Sequence, residues 1–334
     1  ALNYVGGGLN SPFFIAIDSL GDPWITNFEG ASITKLSPTG AVLSGSMGIS
    51  GGGIQDPEGI GIDASNHVWV ANGNSTLTEL DVNGNILSGD SGFSGGGLSD
   101  GYGLAIDPQQ NIWVSSDSSE LAKFCGNVTA NCPMGFTTGE AISPEGGFTG
   151  GGLTHGLGLG TDASSNAWIA NPDSVCEFDL NGNPQSGMSG FTGGGLSHPT
   201  TYTTIDPAGH PWTTNIGNSS VTELSTSGTP ISGSGGFTGG GINNSESLVS
   251  DSANNIWVTN EEAPVGSISE LNSSGSPLSP STGFQGGGLS DPIGIAIDAS
   301  GNVWTANDFN NSVTQFVGIA APTKAPLNGP AQAP

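Results

Sequence analysis

A few side chains that could do chemistry follow triplets of glycine at fixed spacings. His155 and His198 each lie three residues after such a triplet, and Glu58 and Glu246 each lie five residues after one. Imidazole nitrogens and carboxylate oxygens are common ligands of divalent metals. If these four side chains converge, they could hold a divalent metal, with His155 and His198 as the expected nitrogen ligands.

The same spacing marks a wider candidate binding site. Tyr102 lies five residues after its own triplet, at the position that Glu58 and Glu246 occupy after theirs. A position that only supports the fold should vary less in chemical type, so we expect the varied set to line a binding site. It comprises Glu58, Tyr102, His155, His198 and Glu246. The alternative is that they are solvated loop residues on a polar rim.

Every tryptophan of the chain belongs to one repeat. Seven copies start near residues 6, 51, 95, 150, 193, 239 and 286, each at a glycine triplet, and each tryptophan has an aspartate six residues before it. Within a copy, short apolar runs alternate with turn signals, as expected for short strands. A repeat of this length with four strands is typical of a β-propeller blade. The tryptophans are Trp24, Trp69, Trp113, Trp168, Trp212, Trp257 and Trp304.

The repeats predict an all-β fold, a seven-bladed β-propeller with four short antiparallel strands per blade. We expect one propeller domain over residues 1–318, with each tryptophan filling the space between neighbouring blades. The last copy stops after its third strand, so the N-terminal segment is predicted to complete that blade and close the ring. Residues 319–334 form a Pro/Ala-rich tail, predicted to be extended. The tail could dock on its own ring or on a neighbouring molecule.

The last copy carries the pattern P-x-G-I-x-I-D-x-x-G-N-x-W-x-x-N. Its residues are Pro292, Gly294, Asp298, Gly301, Asn302, Trp304 and Asn307. The pattern resembles the NHL-type repeat and, more closely, the streptogramin-lyase-like (virginiamycin B lyase-like) propellers of bacteria, over roughly residues 6–317. The resemblance implies a propeller, usually with seven blades, and a metal-dependent activity that uses His and Glu side chains at the channel mouth. A clear H-x-E arrangement of that kind is missing, so no catalytic residue is carried over.

The composition excludes several classes of partner. The chain has 334 residues with 58 glycines, a formal net charge of −26 and only 3 Lys plus Arg. Nucleic acid and anionic membranes are bound through Lys and Arg, so both are excluded as partners. The sequence has no apolar run long enough for a membrane-spanning helix, so membrane insertion is not expected.

The cysteines favour an extracellular location. Cys125 and Cys132 flank the largest insertion, in the third repeat, and their short spacing predicts a disulfide in a secreted bacterial protein. Cys176 is predicted to be a small buried residue. The first residue is Ala1, which a removed secretory signal or trimming of the chain would explain.

Charged residues also recur in the turns and on the third strand of the repeats. Glutamate alternates with lysine or glutamine on that strand, which we interpret as surface charges that relieve crowding between blades. His67 and His210 occupy a turn and are expected at the surface. The third-strand residues are Lys35, Glu79, Lys123, Glu177, Glu223, Glu270 and Gln315.

Three functions remain open. The first is a secreted, non-catalytic binding or structural module whose partner is a protein, including copies of itself joined through the tail or an incomplete-blade edge. The second is a metal-dependent lyase or hydrolase at the channel mouth. The third is a propeller that binds glycans.

Overall fold

The computed structural model describes residues 1–261 and 265–334, with the side chains of residues 199–201 outside that description. In the described part, the secondary structure consists of strands and two 3-10 turns, η1 (Thr129–Asn131) and η2 (Ile216–Asn218). The strands are β1 (Leu2–Val5), β2 (Pro12–Ile17), β3 (Pro23–Asn27), β4 (Ser32–Lys35), β5 (Pro57–Ile62), β6 (Val68–Asn72), β7 (Thr76–Leu80), β8 (Gly101–Ile106), β9 (Ile112–Ser116), β10 (Leu121–Phe124), β11 (Leu159–Thr161), β12 (Ala167–Asn171), β13 (Ser174–Phe178), β14 (Pro199–Ile205), β15 (Pro211–Asn215), β16 (Ser220–Glu223), β17 (Ser245–Ser250), β18 (Ile256–Asn260), β19 (Ser267–Leu271), β20 (Pro292–Ile297), β21 (Val303–Asn307) and β22 (Ser312–Phe316).

The described strands form seven small antiparallel sheets, the blades of a propeller. Blades 1 to 6 are β2–β4, β5–β7, β8–β10, β11–β13, β14–β16 and β17–β19, and blade 7 is β20–β22 with β1. The first strand of each blade is innermost and lies against the first strands of its two neighbours. Strand β2 contacts both β5 and β20, so blade 7 lies beside blade 1 and the ring is closed.

The outermost segment is a regular strand only in blade 7. There β1 pairs with β22 along its whole length, from Leu2 opposite Gln315 to Val5 opposite Ser312. In blade 4 the outer segment meets β13 only at two isolated bridges, at Pro184 and at Phe191. Proline cannot donate to a ladder and glycine weakens one, so the Ser-Gly-Met-Ser-Gly stretch between these bridges leaves the sheet. Six blades therefore have three strands and a bridged outer segment, where four strands were expected.

The tryptophans occupy the interfaces between blades, as predicted. All seven are 0% exposed. Trp69 of blade 2 packs with Leu104 and Ile112 of blade 3. Trp304 of blade 7 packs with Ile15 of blade 1, so the same contact closes the ring. Burying one tryptophan contributes roughly 4–6 kcal/mol before the loss of side-chain entropy.

The aspartate before each tryptophan joins a turn to the blade interior. Asp206 Oδ1 accepts the backbone N–H groups of Ala208 and His210 at 2.9 and 2.8 Å. Its Oδ2 accepts the indole N–H of Trp212 at 2.9 Å. The indole bond recurs in all seven blades. The spacing of six residues follows from this pair of bonds.

The glycine triplets connect the outer segment of one blade with the inner strand of the next. The three glycines of every triplet have positive φ, a region that side chains disfavour. At Gly195 a Cβ would lie 2.1 Å from the backbone nitrogen of Gly236. The carbonyl of Gly194 accepts the Thr222 hydroxyl at 2.8 Å, which ties the crossing to strand β16.

Strand direction defines two faces of the ring. The triplet loops and the turns between second and third strands lie together at the loop face. The aspartate-containing turns between first and second strands lie at the opposite turn face. On the turn face His67 and His210 are half-buried rather than at the surface, because each pairs with a buried glutamate. The third-strand lysines Lys35 and Lys123 are also buried, so their charges are not surface charges.

The C-terminal tail lies across the turn face of its own ring. Thr323 donates its N–H to Asp298 O at 3.2 Å, and Asn328 Nδ2 donates to Ile62 O of blade 2 at 2.7 Å. Residues 323–327 line the end of the apolar central channel. The tail thus packs on its own ring. In the described part of the chain, none of the helices has the length and apolar character needed to cross a membrane.

Candidate functional site

The loop face places three of the candidate residues at the channel mouth. Glu58, Tyr102 and Glu246 are each the second residue of an innermost strand, β5, β8 and β17. In all three strands the pairing with the next strand shifts register just after this position. The irregular start of each inner strand therefore carries these side chains at the rim of the central channel.

Glu58 lies in an environment that disfavours its charge. Its Oε2 is buried and has no hydrogen-bond partner in the described structure. Burial, followed by the neighbouring carboxylates of Asp100, Asp117 and Asp56, raises the pKa of Glu58 to about 8. A carboxyl group with such a pKa can exchange a proton near neutral pH.

Tyr102 joins the acidic residues to an aromatic wall. Its ring lies 6.4 Å from that of Phe13 and 6.2 Å from that of Phe14, edge to face in both cases. Burial raises the pKa of Tyr102, and the charges of Glu58, Glu246 and Asp117 raise it further. The structure thus brings Glu58, Tyr102 and Glu246 into one acidic and aromatic cluster, which we call the mouth cluster together with Asp117.

The two candidate histidines do not meet. His155 Nε2 pairs with Asp117 Oδ1, and both side chains are about two-fifths exposed. His198 is exposed, and its backbone N–H lies 3.5 Å from Asp173 Oδ1. Among the described residues, neither histidine belongs to a group of three metal-ligating side chains. The placement therefore gives no support to a divalent metal held by His155 and His198.

The two histidines differ in backbone conformation. His198 has a φ of 40°, whereas His155 does not share this left-handed conformation. Blade 4 also has a shortened inner strand, β11, which begins only at Leu159 after the glycine-rich stretch that follows His155. Equivalent positions in the repeat consequently have different backbones in blades 4 and 5.

The same backbone requirement explains why small polar residues recur at this position. Six of the seven copies place a non-glycine residue here with φ between 40° and 58°. Asparagine and aspartate tolerate the left-handed region better than most residues. The backbone conformation therefore accounts for many of the residue types at the position of His155 and His198, whose variation had suggested a binding role. The six residues are Ser11, Asp56, Asp100, His198, Asn244 and Asp291.

Sequence reasoning missed the carboxylates supplied by the second-to-third strand turns. Asp117, Glu261 and Asp308 each follow directly after the last residue of a second strand. Burial, then the charges of Glu261 and Asp308, raise the pKa of Asp291 to about 6. Aligning the residue after the repeated asparagine would have revealed these turns as a second acidic position.

The insertion of the third repeat reaches the other face of the molecule. Cys125 and Cys132 form a disulfide, and Cys176 is free and buried. The amide of Asn127, inside the disulfide loop, lies against the Asp63 carboxylate of blade 2 at 2.6 Å. The loop therefore contacts the turn face rather than the mouth cluster.

No family model matches the chain, and no curated protein matches it. Solved structures do. The virginiamycin B lyase of Staphylococcus aureus superposes with a TM-score of 0.67 at 14% identity, covering 94% of this chain and 98% of that one. A catalytically inactive histidine-to-alanine variant of that enzyme, solved with quinupristin, gives 0.65 at 14%, covering 93% and 96%. The extracellular domain of a one-component system from B. thetaiotaomicron gives 0.64 at 14%, covering 96% and 42%.

At this level of identity the likeness concerns the fold alone. It agrees with the arrangement of small antiparallel sheets around a closed ring. The resemblance first noted in the repeated P-x-G-I-x-I-D pattern is thus found again in three dimensions. The chain has the propeller fold of the streptogramin B lyases.

Proposed function

We propose that the protein is a secreted, non-catalytic binding propeller whose mouth cluster receives a cationic group of an extracellular ligand. One observation carries the proposal, the buried and unpartnered Oε2 of Glu58 among other carboxylates. An uncompensated polar atom in the interior is costly, and an ammonium or guanidinium group would supply its missing partner.

The surroundings of Glu58 suit such a ligand. All three lysines of the chain lie elsewhere, with Lys35 and Lys123 buried near the turn face and Lys324 in the tail. The rings of Phe13 and Tyr102 offer aromatic surface to a cation. The net charge of −26 would further attract cations to the channel mouth.

An extracellular location fits the covalent structure and the composition. A disulfide is typical of oxidising compartments, and the chain holds one. One of the similar solved structures is an extracellular domain. Self-assembly is left out of the proposal, because β1 completes the last blade and the tail packs on its own ring.

The proposal is tested by calorimetric titration with cadaverine, using pentanol as the uncharged control. Binding of the cation should release a proton from Glu58, so the apparent enthalpy should depend on the ionisation enthalpy of the buffer. Glu58→Gln should weaken cadaverine binding about tenfold or more, a loss of about 1.4 kcal/mol. The exposed Glu145→Gln is the matched control. Equal binding by Glu58→Gln and the unaltered protein would refute the proposal.

A lyase activity is the second candidate, favoured by the His155–Asp117 pair beside Glu58. A histidine oriented by a carboxylate is a common general base. Incubation with quinupristin, followed by mass spectrometry, separates the two candidates. Conversion that His155→Ala abolishes would establish the enzyme and set aside the non-catalytic proposal. A glycan array covers the third class, since binding of neutral glycans unaffected by Glu58→Gln would identify a glycan-binding propeller.

A further inference from the structure

One position on the turn face is occupied by different kinds of residue in different blades. It is the space beside the repeated aspartate, next to the third-strand residue that pairs with the tryptophan. In blade 1 the ammonium of Lys35 enters this space, 3.3 Å from Asp18 Oδ2 and 3.0 Å from Asp22 Oδ2. In blade 3 Lys123 does the same, 3.6 Å from Asp107 Oδ2. Both lysines also lie over the tryptophan ring of their own blade.

In three other blades an asparagine amide lies beside the repeated aspartate, where the lysine ammonium lies in blades 1 and 3. Asn166 of blade 4 donates to Asp162 Oδ2 at 3.0 Å and to Glu177 Oε1 at 3.2 Å. Asn255 in blade 6 and Asn302 in blade 7 donate to their repeated aspartates at 3.3 and 2.8 Å. In these blades a protein N–H donor thus lies against the carboxylates.

Blade 2 has a histidine at that turn position, and a distant residue supplies the amide. His67 Nδ1 lies 2.7 Å from Glu79 Oε1. Asn127 of the disulfide loop places its Nδ2 within 2.6 Å of Asp63 Oδ2, 2.9 Å of His67 Nδ1 and 3.0 Å of Glu79 Oε1. One nitrogen therefore lies at the centre of an Asp–His–Glu triad.

Blade 5 has the same triad without a residue equivalent to Asn127 among the described ones. His210 Nδ1 lies 2.8 Å from Glu223 Oε1 and 3.8 Å from Asp206 Oδ2. Glu223 is 2% exposed, and its Oε2 is buried with no partner in the described structure. Within residues 1–261 and 265–334, this is the one group of three metal-ligating side chains whose ligand atoms all lie within 4.8 Å of one another.

We propose that Asp206, His210 and Glu223 form a site for a divalent transition metal of the zinc class. One imidazole nitrogen and two carboxylates are a ligand set that zinc accepts, with water completing the coordination. The metal takes the place that Lys35, Lys123 and Asn127 take in blades 1, 3 and 2. His210 is 30% exposed and leaves a path from solvent. This site is on the face opposite the mouth cluster and is independent of the function proposed for it.

Zinc binding to the full-length protein, without a histidine tag, tests the site. Equilibrium dialysis with metal analysis should give one tightly held zinc per chain, and zinc should raise the thermal midpoint. Glu223→Lys is the matched variant, because the chain itself uses lysine at this position in blades 1 and 3 and the fold should be kept. We expect Glu223→Lys and His210→Ala to lose that zinc.

The acidic group of blade 2 provides a control. Asn127→Ala removes the amide from between Asp63, His67 and Glu79, but their ligand atoms do not all lie within 4.8 Å of one another, so the stoichiometry should stay at one zinc. The proposal is overturned if the unaltered protein holds no more zinc than Glu223→Lys does. It is equally overturned if Asn127→Ala loses the zinc, because the ion would then be bound in blade 2 rather than by Asp206, His210 and Glu223.

Discussion

At the scale of single residues, burial beside other carboxylates determines how Glu58 behaves. The folded state holds its proton more tightly than the unfolded chain does, because burial raises the pKa from 4.5 to about 8. Protonation of Glu58 therefore favours folding. Its contribution to stability is fully present below the unfolded pKa and is lost as the pH rises towards the folded value.

Replacing Glu58 with glutamine should remove this pH dependence. At about pH 8.5 we expect Glu58→Gln to be more stable than the unaltered protein by about 1–3 kcal/mol, and near pH 4 the difference should vanish. Urea denaturation followed by tryptophan fluorescence at both pH values measures this. Glu145→Gln, at an exposed position, should match the unaltered protein throughout. A stability difference for Glu58→Gln that does not change with pH would contradict the raised pKa of Glu58.

At the scale of the element, each turn at the first-to-second strand junction is held by one carboxylate. In blade 4, Asp162 accepts two backbone N–H groups, at 2.8 and 2.9 Å, and the indole of Trp168 at 3.2 Å. This carboxylate therefore couples turn geometry to the packing between blades.

Asp162→Ala should destabilise the protein by about 2–4 kcal/mol, because it leaves the buried indole N–H and two turn amides without their acceptor. Thermal and urea unfolding measure the loss. The control is Asp90→Ala, at an exposed position in an outer segment, which should change stability by less than about 0.5 kcal/mol. Equal stabilities of the two variants would show that the turn does not depend on the carboxylate.

At the scale of the whole molecule, two of the three lysines are buried. Lys35 donates to Val82 O at 2.9 Å and Lys123 donates to Leu180 O, each on the neighbouring blade. Burial lowers the pKa of Lys123, and Asp107 partly offsets that effect. Lys324 is exposed in the tail, and the chain has 3 Lys plus Arg in all.

Trypsin should therefore cut the folded protein at a single place. Cleavage after Lys324 is expected to release residues 325–334, while the ring stays whole because the bonds after Lys35 and Lys123 lie inside the propeller. Mass spectrometry of a timed digest identifies the fragments. Lys324→Gln should abolish cleavage under native conditions. Early cuts after Lys35 or Lys123 would show that the blades open locally.

The local features of the repeat were predictable from the sequence because their causes lie within one copy. The hydrogen bond that the Trp304 indole donates to Asp298 and the positive φ of each triplet involve residues a few positions apart, and both features recur in all seven copies. The candidate site was predictable only in part. Glu58, Tyr102 and Glu246 meet at the mouth because a closed ring brings equivalent strand starts together, whereas Asp117 belongs to a turn that the repeat pattern did not single out.

By itself, the sequence determined the blades, the turns and the tryptophan interfaces, since hydrophobic burial and turn chemistry act over a few neighbouring residues. Contacts between blades were decided only by the tertiary structure. Asn127 reaches Asp63 across 64 positions, Asn328 reaches Ile62 across 266, and His155 and His198 stay apart despite equivalent positions in the repeat. The physical reason is that such contacts depend on the curvature of the ring and on the paths of loops, which are properties of the closed propeller rather than of any single copy.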